Sequence, residues 1–386
     1  MATTTRSASI LAEDSEASSV AELLLEATEN QNHSIYLNYK GLTDIPPELV
    51  DNDETFKNLQ HLFLKRNLIQ TLPSNIGNLT GLVELYLHSN CLTTLPDEIY
   101  TLFSLQSLNV SNNQLKSLPA TLGQLSTLQK LLVSDNLLAT LPPELGKLQE
   151  LSVLEASTNQ LTSLPSELCH CSKLRSINVT NNQLRCLPRQ IINLSYLKEL
   201  TANGNRLVYL PMDLGLWQEH LSTVYVDNNP MLHALPFSLW QKKIGATRCG
   251  TQTLSAEQCS SKRTIQANSL TAILPPELRL VKDGSEPHKE VLPLLEISLA
   301  VVHRLKDRLD ISSLPRTIAE LVTCPTAHCM APSCCEKPIF TVAWVHLLKL
   351  EWAQPWQRSP GSIGFAGLCC SKQCLRTFKR IPVPTF

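Results

Sequence analysis

Leucines and asparagines recur along the middle of the chain at a constant interval. The motif LxxLxLxxN starts at Leu59, Leu82, Leu105, Leu128, Leu151, Leu174, Leu197 and Leu221. Its asparagines, each 23 residues after the one before, are Asn67, Asn90, Asn113, Asn136, Asn159, Asn182 and Asn205, and Asn229 follows after one inserted residue. A proline lies six residues after each of the first seven, from Pro73 to Pro211, and Pro236 comes one residue late. This register predicts an array of stacked coils.

Each position of the motif has a structural role. The end of LxxLxL alternates, which predicts a short strand with Leu85 and Leu87 pointing inward and Glu84 and Tyr86 pointing outward. One coil alone cannot bury its leucines, whereas stacking buries each of them with a gain of about 1.5 to 3 kcal/mol. An asparagine side chain both donates and accepts hydrogen bonds, so we expect the asparagine column to bridge the backbones of neighbouring coils.

A degenerate unit precedes the eight regular ones. Its apolar frame consists of Ile35, Leu37, Leu42, Ile45 and Pro46, and Lys40 takes the asparagine position. Together the units predict an α/β solenoid, or horseshoe, over residues 35–240, with a parallel sheet on its concave face. The motif resembles the 23-residue intracellular leucine-rich repeats of Ras-suppressor and erbin-type scaffold proteins. That resemblance implies a scaffold or adaptor that binds proteins, with a role in signal transduction.

Outward strand positions predict where a partner binds, because solenoids present extended concave surfaces. The candidate partner-binding residues are Phe63, Lys65, Arg66, Tyr86, His88, Leu132, Glu155, Tyr225 and Asp227. Exposed aromatics beside arginine are common energetic anchors of interfaces, so the N-terminal end is the preferred hot spot. A merely solvated sheet face with aromatics at its edge is the alternative for any single residue.

The flanking segments differ from the repeats. Residues 1–18 lack an apolar period and predict a disordered tail. Ser19 and Glu22 form a capping-box pattern, which predicts an N-terminal cap over residues 19–34. After the repeats we expect a polar connector over 241–269, a helical cap or box-like segment over 270–322, and a cysteine-rich segment over 323–386.

The 293–322 segment has two alternative interpretations. It can cover the last open coil, as every solenoid requires. It also resembles the suppressor-of-cytokine-signalling box, through Leu294, Ser298, Val302, Leu314, Pro315, Ile318 and Leu321. That family normally has cysteine where Ser298 stands. The resemblance implies docking to the elongin–cullin machinery, with the horseshoe acting as substrate receptor of a ubiquitin ligase.

Two groups of cysteines near the C-terminus predict a structural zinc site. Tetrahedral zinc needs thiolates that converge from two chain segments, and the preferred ligands are Cys329, Cys335, Cys370 and Cys374, with Cys324, His328 and Cys334 as alternates. The second group, with Phe378 after it, resembles treble-clef fingers of the MYM or TRASH type. Buried thiols without metal are the alternative. Within the repeats, Cys169 and Cys171 are predicted to pack in the core, since Cys171 occupies a leucine row.

Composition narrows the class of protein. The 33 Lys and Arg residues against 34 Asp and Glu leave a net charge of −1, so no long-range field attracts nucleic acid, and no nucleic-acid partner is expected. The acidic N-terminus is unlike a signal peptide, and no apolar run is long enough for a membrane span, so we expect a cytoplasmic protein with reduced cysteines. No catalytic set recurs with family-like spacing, so we predict a binding protein and not an enzyme.

Overall fold

Short strands separated by turns and 3-10 helices follow the leucine pattern through the repeats. The computed structural model describes residues 20–51, 56–252, 264–267, 270–278, 280–282, 294–308, 311–330, 335, 337–340, 342–348 and 364–379. The predicted tail at 1–18 lies outside these residues. The strands of the repeats are β1 (Ser34–Tyr36), β2 (His61–Phe63), β3 (Glu84–Tyr86), β4 (Ser107–Asn109), β5 (Lys130–Leu132), β6 (Val153–Glu155), β7 (Ser176–Asn178), β8 (Glu199–Thr201) and β9 (Thr223–Tyr225).

These strands pair side by side, each parallel to and in register with the next, as Ile35, Leu62 and Leu85 show. On the opposite side each full coil from β2 to β8 enters its convex segment after a leucine-proline pair. The 3-10 helices there are Ser74–Asn78, Asp97–Thr101, Ala120–Gln124, Pro143–Lys147, Ser166–His170 and Arg189–Asn193. The fold is therefore the predicted leucine-rich-repeat solenoid with a parallel concave sheet.

Leucines fill the space between the strands and the convex segments. Leu85 and Leu87 are fully buried, as predicted, and Cys171 is buried in the row that leucine occupies in other coils. The N-terminal helix α1 (Val20–Glu29) packs Leu24 and Ala27 against this core. A single short helix, α2 (Pro47–Val50), opens the convex segment of the first coil.

The asparagine column bridges neighbouring coils, as the sequence predicted. The Asn136 amide donates to the carbonyls of Val110 in the preceding coil and Val133 in its own coil, at 3.0 and 3.1 Å. Its oxygen accepts from the Leu115 N–H at 3.0 Å. We call this column the asparagine ladder. The residue before each of its eight asparagines has a left-handed backbone conformation, for example Asp135 at φ 54°. Each ladder side chain thus satisfies backbone groups that the turn removes from water.

The parallel sheet continues past residue 240, where we predicted the repeats to end. After β10 (Ala234–Pro236) and the 3-10 helix Phe237–Leu239, strand β11 (Lys243–Gly245) pairs parallel with β9 and is the tenth strand of the sheet in the described chain. Arg248 then has a φ of 58°, and the Cys249 thiol donates to the Val226 carbonyl. A tenth, shorter coil follows the last predicted one, with cysteine in the asparagine position.

The C-terminal third packs against the last coils of the solenoid. Its elements are β12 (Thr264–Ala267), β13 (Leu270–Ile273), β14 (Leu280–Lys282), helix α3 (Leu294–Arg304), the 3-10 helices Lys306–Arg308 and Ile311–Ser313, helix α4 (Arg316–Thr323), β15 (Ala327–His328), β16 (Pro338–Ile339), β17 (Val342–Leu348), β18 (Gly364–Cys369) and helix α5 (Lys372–Phe378). A second sheet has the order β10, β18, β17, β14, so a strand of the last coils is shared with the C-terminal segment. The remaining predicted segment boundaries stay predictions.

No helix in the described part of the chain has the length and apolar character that crossing a membrane requires.

Candidate binding face and metal centre

Three aromatic rings stack along the N-terminal end of the concave face. Tyr36, Phe63 and Tyr86 are register partners on β1, β2 and β3. Because adjacent strands lie about 4.8 Å apart, side chains at the same register position meet face to face. The ring centroids of Tyr36 and Phe63 are 4.7 Å apart, and those of Phe63 and Tyr86 are 5.1 Å apart. We call these three residues the aromatic stack.

Basic side chains flank the aromatic stack. Lys65 and Arg66 both approach the ring of Tyr39, at 5.9 and 5.4 Å from its centroid. Such cation–π contacts hold a charged group over a ring while leaving it open to water. The rings of His88 and Tyr86 are nearly perpendicular, with their centroids 6.3 Å apart. The structure thus brings together all five residues that the sequence predicted at this end.

The charge of this region also affects His88. Burial lowers the pKa of its imidazole, and the nearby charges of Lys65 and Arg66 lower it further. The neutral form is therefore favoured around pH 7, because a third positive charge would add to the repulsion. The N-terminal end carries its positive charge on Lys65 and Arg66.

The middle of the concave face is small and polar, with two exceptions. Leu132 is partly exposed on β5, and Glu155 follows it on β6. The Glu155 carboxylate accepts a hydrogen bond from the Asn178 amide at 2.8 Å. Burial raises the pKa of Glu155, the Asn178 bond lowers it, and the negative charge of Glu199 raises it. A cation brought by a partner would relieve the cost of this half-buried carboxylate.

The C-terminal end of the face is occupied by the tenth coil. The Asp227 carboxylate accepts hydrogen bonds from both the N–H and the hydroxyl of Thr247, each at 2.6 Å. The Lys243 ammonium lies 5.9 Å from the centroid of the Tyr225 ring. These contacts engage Tyr225 and Asp227, the two predicted partner-binding residues at this end, within the chain itself. Their role in binding a partner stays a prediction.

Four cysteines meet beside the second sheet. Cys329 follows β15 and its N–H bonds to the Lys337 carbonyl, while Cys335 lies just before β16 in the same hairpin. Cys370 follows β18, and Cys374 lies in the first turn of α5. The Ser371 side chain caps α5 by accepting from the Cys374 N–H at 3.1 Å, which fixes the second pair. The β15–β16 hairpin and the β18–α5 junction, which we call the two cysteine knuckles, thus direct two thiols each toward one point.

The spacing of these thiols suits a metal ion. The four Sγ atoms all lie within 4.8 Å of one another. Cys370 Sγ is 3.5 Å from Cys335 Sγ and 3.7 Å from Cys374 Sγ. A tetrahedral zinc with Zn–S bonds of about 2.3 Å requires sulfur–sulfur distances of about 3.8 Å. The set can therefore hold a metal ion, and it contains the four residues preferred from the sequence.

The protonation of these thiols depends on what lies between them. A hydrogen bond with Cys329, followed by burial, raises the pKa of Cys370, and burial raises the pKa of Cys374. Adjacent thiolates repel one another, so the thiols stay protonated unless a cation compensates the charge. A bound divalent metal supplies that charge and releases the protons.

The alternate ligands lie elsewhere or outside the described residues. Cys324 is buried with the core of the solenoid. His328 Nδ1 lies 2.6 Å from the Asp213 carboxylate, which also accepts the His328 N–H at 2.8 Å. Cys334 lies outside the described residues.

Sequence reasoning missed three residues of these sites. Tyr36 extends the aromatic stack, and its position between Ile35 and Leu37 marked it as outward-facing. Tyr39 contacts both cations, but it lies in the turn just before Lys40, a position that was not among the outward strand positions considered for binding. Asp213 joins the solenoid to the C-terminal segment, and its pairing with a residue 115 positions later left no signal in the sequence.

Comparisons with known proteins agree with this fold. A family model described as leucine rich repeat matches residues 57–115 and, in a second register, 80–138. The leucine-rich repeat domain of the type III effector XopL is 25% identical, with 57% of this chain and 77% of that chain covered and a TM-score of 0.51. A leucine-rich repeat protein of Leptospira interrogans is 23% identical over 60% of this chain and 81% of its own, with a TM-score of 0.42. YopM of Yersinia pestis, a leucine-rich effector protein, is 28% identical over 59% and 64%, with a TM-score of 0.46.

The family match and the likeness to the XopL domain support the class of fold. The chain has a leucine-rich-repeat fold, and that fold supports a role in binding other proteins. The matched family residues end at 138, so the C-terminal cysteine centre lies beyond the part that the family model describes.

Proposed function

We propose that this protein is an intracellular interaction scaffold that binds a protein partner on its concave face. The observation that carries the proposal is the aromatic stack with Lys65 and Arg66 beside it. Partly exposed aromatic and arginine side chains supply most of the binding energy in many interfaces. The small polar side chains of the middle coils leave space for a partner to enter.

The stack is already ordered before a partner arrives. Phe63 has a ring on each side, so its conformation is restricted in the unbound protein. A preorganised anchor costs little side-chain entropy on binding. This favours a binding role for the N-terminal end of the face over a merely solvated surface.

The proposal includes a cytoplasmic location, signal transduction as the setting, and binding in place of catalysis. The eleven cysteines of the described residues are all free thiols, which suits a reducing compartment. The scaffold proteins that the repeats resemble suggest the signalling role.

Proximity labelling in cells tests the binding face. The intact chain is compared with Phe63→Ala/Tyr86→Ala and with the control Phe103→Ala/Tyr196→Ala, which removes two aromatic residues that are exposed outside the concave strands. We expect the first variant to lose a set of labelled proteins that the control retains. Identical labelling by all three chains would rule out the N-terminal end as the anchor.

We further propose that Cys329, Cys335, Cys370 and Cys374 hold a structural zinc ion. The convergence of two knuckles at tetrahedral spacing supports this, and thiolate sets favour zinc among the common cellular metals. The ion would join the β15–β16 hairpin to the end of β18 and the start of α5.

Elemental analysis of the purified full chain tests the zinc site. We expect one zinc per chain, lost in Cys370→Ser/Cys374→Ser and retained in Cys91→Ser/Cys186→Ser, whose two cysteines lie in the repeats. Full-chain protein without stoichiometric zinc after metal-replete expression would rule out the site.

A second candidate function is a substrate receptor of an elongin–cullin ubiquitin ligase. The observation favouring it is that Ser298 and Val301 of α3 are exposed, as is Leu305 directly after the helix. In contrast, Val302, Ile318 and Leu321 pack against a buried cluster around Leu299, Val322 and Phe340, which suits a cap. Co-precipitation of elongins with the intact chain, lost in Val301→Glu/Leu305→Glu, would support the receptor, and absence of elongins would exclude it.

A further inference from the structure

Opposite charges are separated along the concave face. Two columns of outward side chains cross the sheet, one at the third residue of each strand and one two residues later. In these columns Lys65 on the second coil, with Arg66 next to it, carries the positive charge of the N-terminal end. The acidic side chains of the same columns, Glu155 and Asp227, lie in the other half.

The remaining outward column does not contradict this separation. Glu84, the acid nearest the stack, forms a 3.1 Å hydrogen bond with His61 on the next strand. Further along, Lys130, Glu199 and Lys243 alternate in sign. This column therefore adds no strong field of its own, and Glu199 increases the negative potential felt by Glu155. Arg248 takes the position of Arg66 in the tenth coil. The separation of charge therefore extends from the second coil to the ninth and ends before the tenth.

The stacked rings add to the positive end. Phe63 is covered on both faces, so only the edge of its ring is directed at a partner. An aromatic ring carries partial positive charge at its edge and partial negative charge on its face. The ring edges and the two cations therefore favour the same ligand group, an anion.

The negative end is organised around Glu155. Both acids are partly exposed, but Asp227 accepts two hydrogen bonds from Thr247, whereas Glu155 accepts one from Asn178 and lies beside the partly exposed Leu132. Leu132 and Glu155 are register partners on neighbouring strands. A partner therefore meets an apolar contact and an anion in adjacent coils.

From this arrangement we infer that the concave face binds a polypeptide segment that carries an acidic residue, an apolar residue and a basic residue in that spatial order. The acidic residue contacts Lys65 and Arg66 beside the aromatic stack, the apolar residue contacts Leu132, and the Lys or Arg contacts Glu155. This inference rests on the proposed function and specifies the chemistry of its partner.

The strand spacing sets the distances in such a segment. Four strand steps separate β2 from β6, which is about 19 Å at about 4.8 Å per step. An extended segment rises about 3.3 Å per residue, so its acid and base would be about six residues apart. A helical segment rises about 1.5 Å per residue and would place them about 13 residues apart.

Selection from a displayed library of random peptides about 20 residues long, which is enough for either spacing, tests the inference with the full-length protein. We expect enriched peptides that have acid and base at one of the two spacings. Lys65→Glu/Arg66→Glu should weaken their binding at least about tenfold, and so should Glu155→Lys. Lys173→Glu and Glu150→Lys are the matched controls, since these residues form an exposed ion pair outside the strands. Circular dichroism confirms that each variant is folded.

Each remaining outcome identifies which statement fails. Peptides that are lost with Phe63→Ala/Tyr86→Ala but show no charge spacing would overturn this inference and leave the proposed function standing. Peptides that bind this variant normally, or no enrichment at all, would count against both. Concentration-dependent self-association in sedimentation, abolished by Lys65→Glu/Arg66→Glu, would mean that a second copy of the chain occupies the face and would overturn the inference.

Discussion

The thiol of Cys249 donates a hydrogen bond to the carbonyl oxygen of Val226 across 3.1 Å. In the preceding coil, the amide of Asn229 donates to the carbonyls of Ala202 and Val226 at 3.0 and 2.7 Å. The thiol thus extends the asparagine ladder by one coil with a weaker donor. Burial raises the pKa of Cys249 to about 11, so the thiol is protonated at neutral pH and able to donate.

Substitution of Cys249 tests this role. Cys249→Ala should lower the free energy of unfolding by about 1 kcal/mol, because the Val226 carbonyl loses one donor. Cys249→Asn should be at least as stable as the native chain, since an amide supplies two N–H donors. Urea denaturation of the full chain measures both. Equal destabilisation by the two substitutions would show that the position requires a thiol for packing alone.

Removal of an interior ladder side chain should cost more. Asn136→Ala leaves the buried Leu115 N–H without its acceptor and removes one of the two asparagine donors to each of the Val110 and Val133 carbonyls. We expect a loss of about 2 to 4 kcal/mol. Gln114→Ala, at an exposed position in the neighbouring coil, should change stability by less than about 0.5 kcal/mol. Denaturant unfolding separates the two, and similar values would contradict the ladder's structural role.

The Asp213 carboxylate should be needed to hold the C-terminal segment. It is 2% exposed and bonds both the backbone and the ring of His328. Asp213→Ala should therefore cost about 3 to 5 kcal/mol, as expected when a buried pair loses one partner. Glu150→Ala, which breaks an exposed pair with Lys173, should cost about 0 to 1 kcal/mol.

Hydrogen exchange locates the effect of Asp213→Ala. We expect faster exchange in β15, β16 and the adjacent part of the second sheet, with β2 to β6 unchanged. Uniform acceleration along the solenoid would show that Asp213 stabilises the repeats and not the docking of the C-terminal segment.

The raised pKa of Glu155 predicts a pH-dependent stability. The folded state binds this proton more tightly than the unfolded state, so Glu155 contributes stability at low pH that is lost as the pH rises through the folded pKa. Glu155→Gln removes the half-buried charge and should raise the thermal midpoint at pH 7. The gain should vanish near pH 4, where the native carboxyl is largely protonated. A gain of the same size at both pH values would contradict the assignment.

The sequence predicted the features that depend on local pattern. The 23-residue interval placed Leu85 in the core, Tyr86 on the surface and Asn136 in the ladder, because each position of the motif has the same structural environment in every coil. The spacing of the cysteines also predicted Cys370 and Cys374 as metal ligands. The N-terminal cap at Ser371 fixes the position of Cys374 relative to Cys370.

Features that depend on contacts between distant segments were not predictable in this way. The tenth coil lies 20 residues after the ninth by strand register and has cysteine in the asparagine position, so the motif no longer matched. Likewise, β10 pairs with β18 across more than a hundred residues, and no periodicity links the two. The end of the solenoid is therefore shaped by tertiary contacts with the C-terminal segment.

Site-specific photo-cross-linking in cells tests most directly that the concave face is the binding surface. A benzophenone-bearing phenylalanine analogue replaces Tyr86 in one chain and Phe103, which is 58% exposed outside the concave strands, in another. We predict a discrete covalent adduct with a partner protein from position 86 and none from position 103. Adducts from position 103 with none from position 86 would contradict the account, because the partner would then bind outside the concave face.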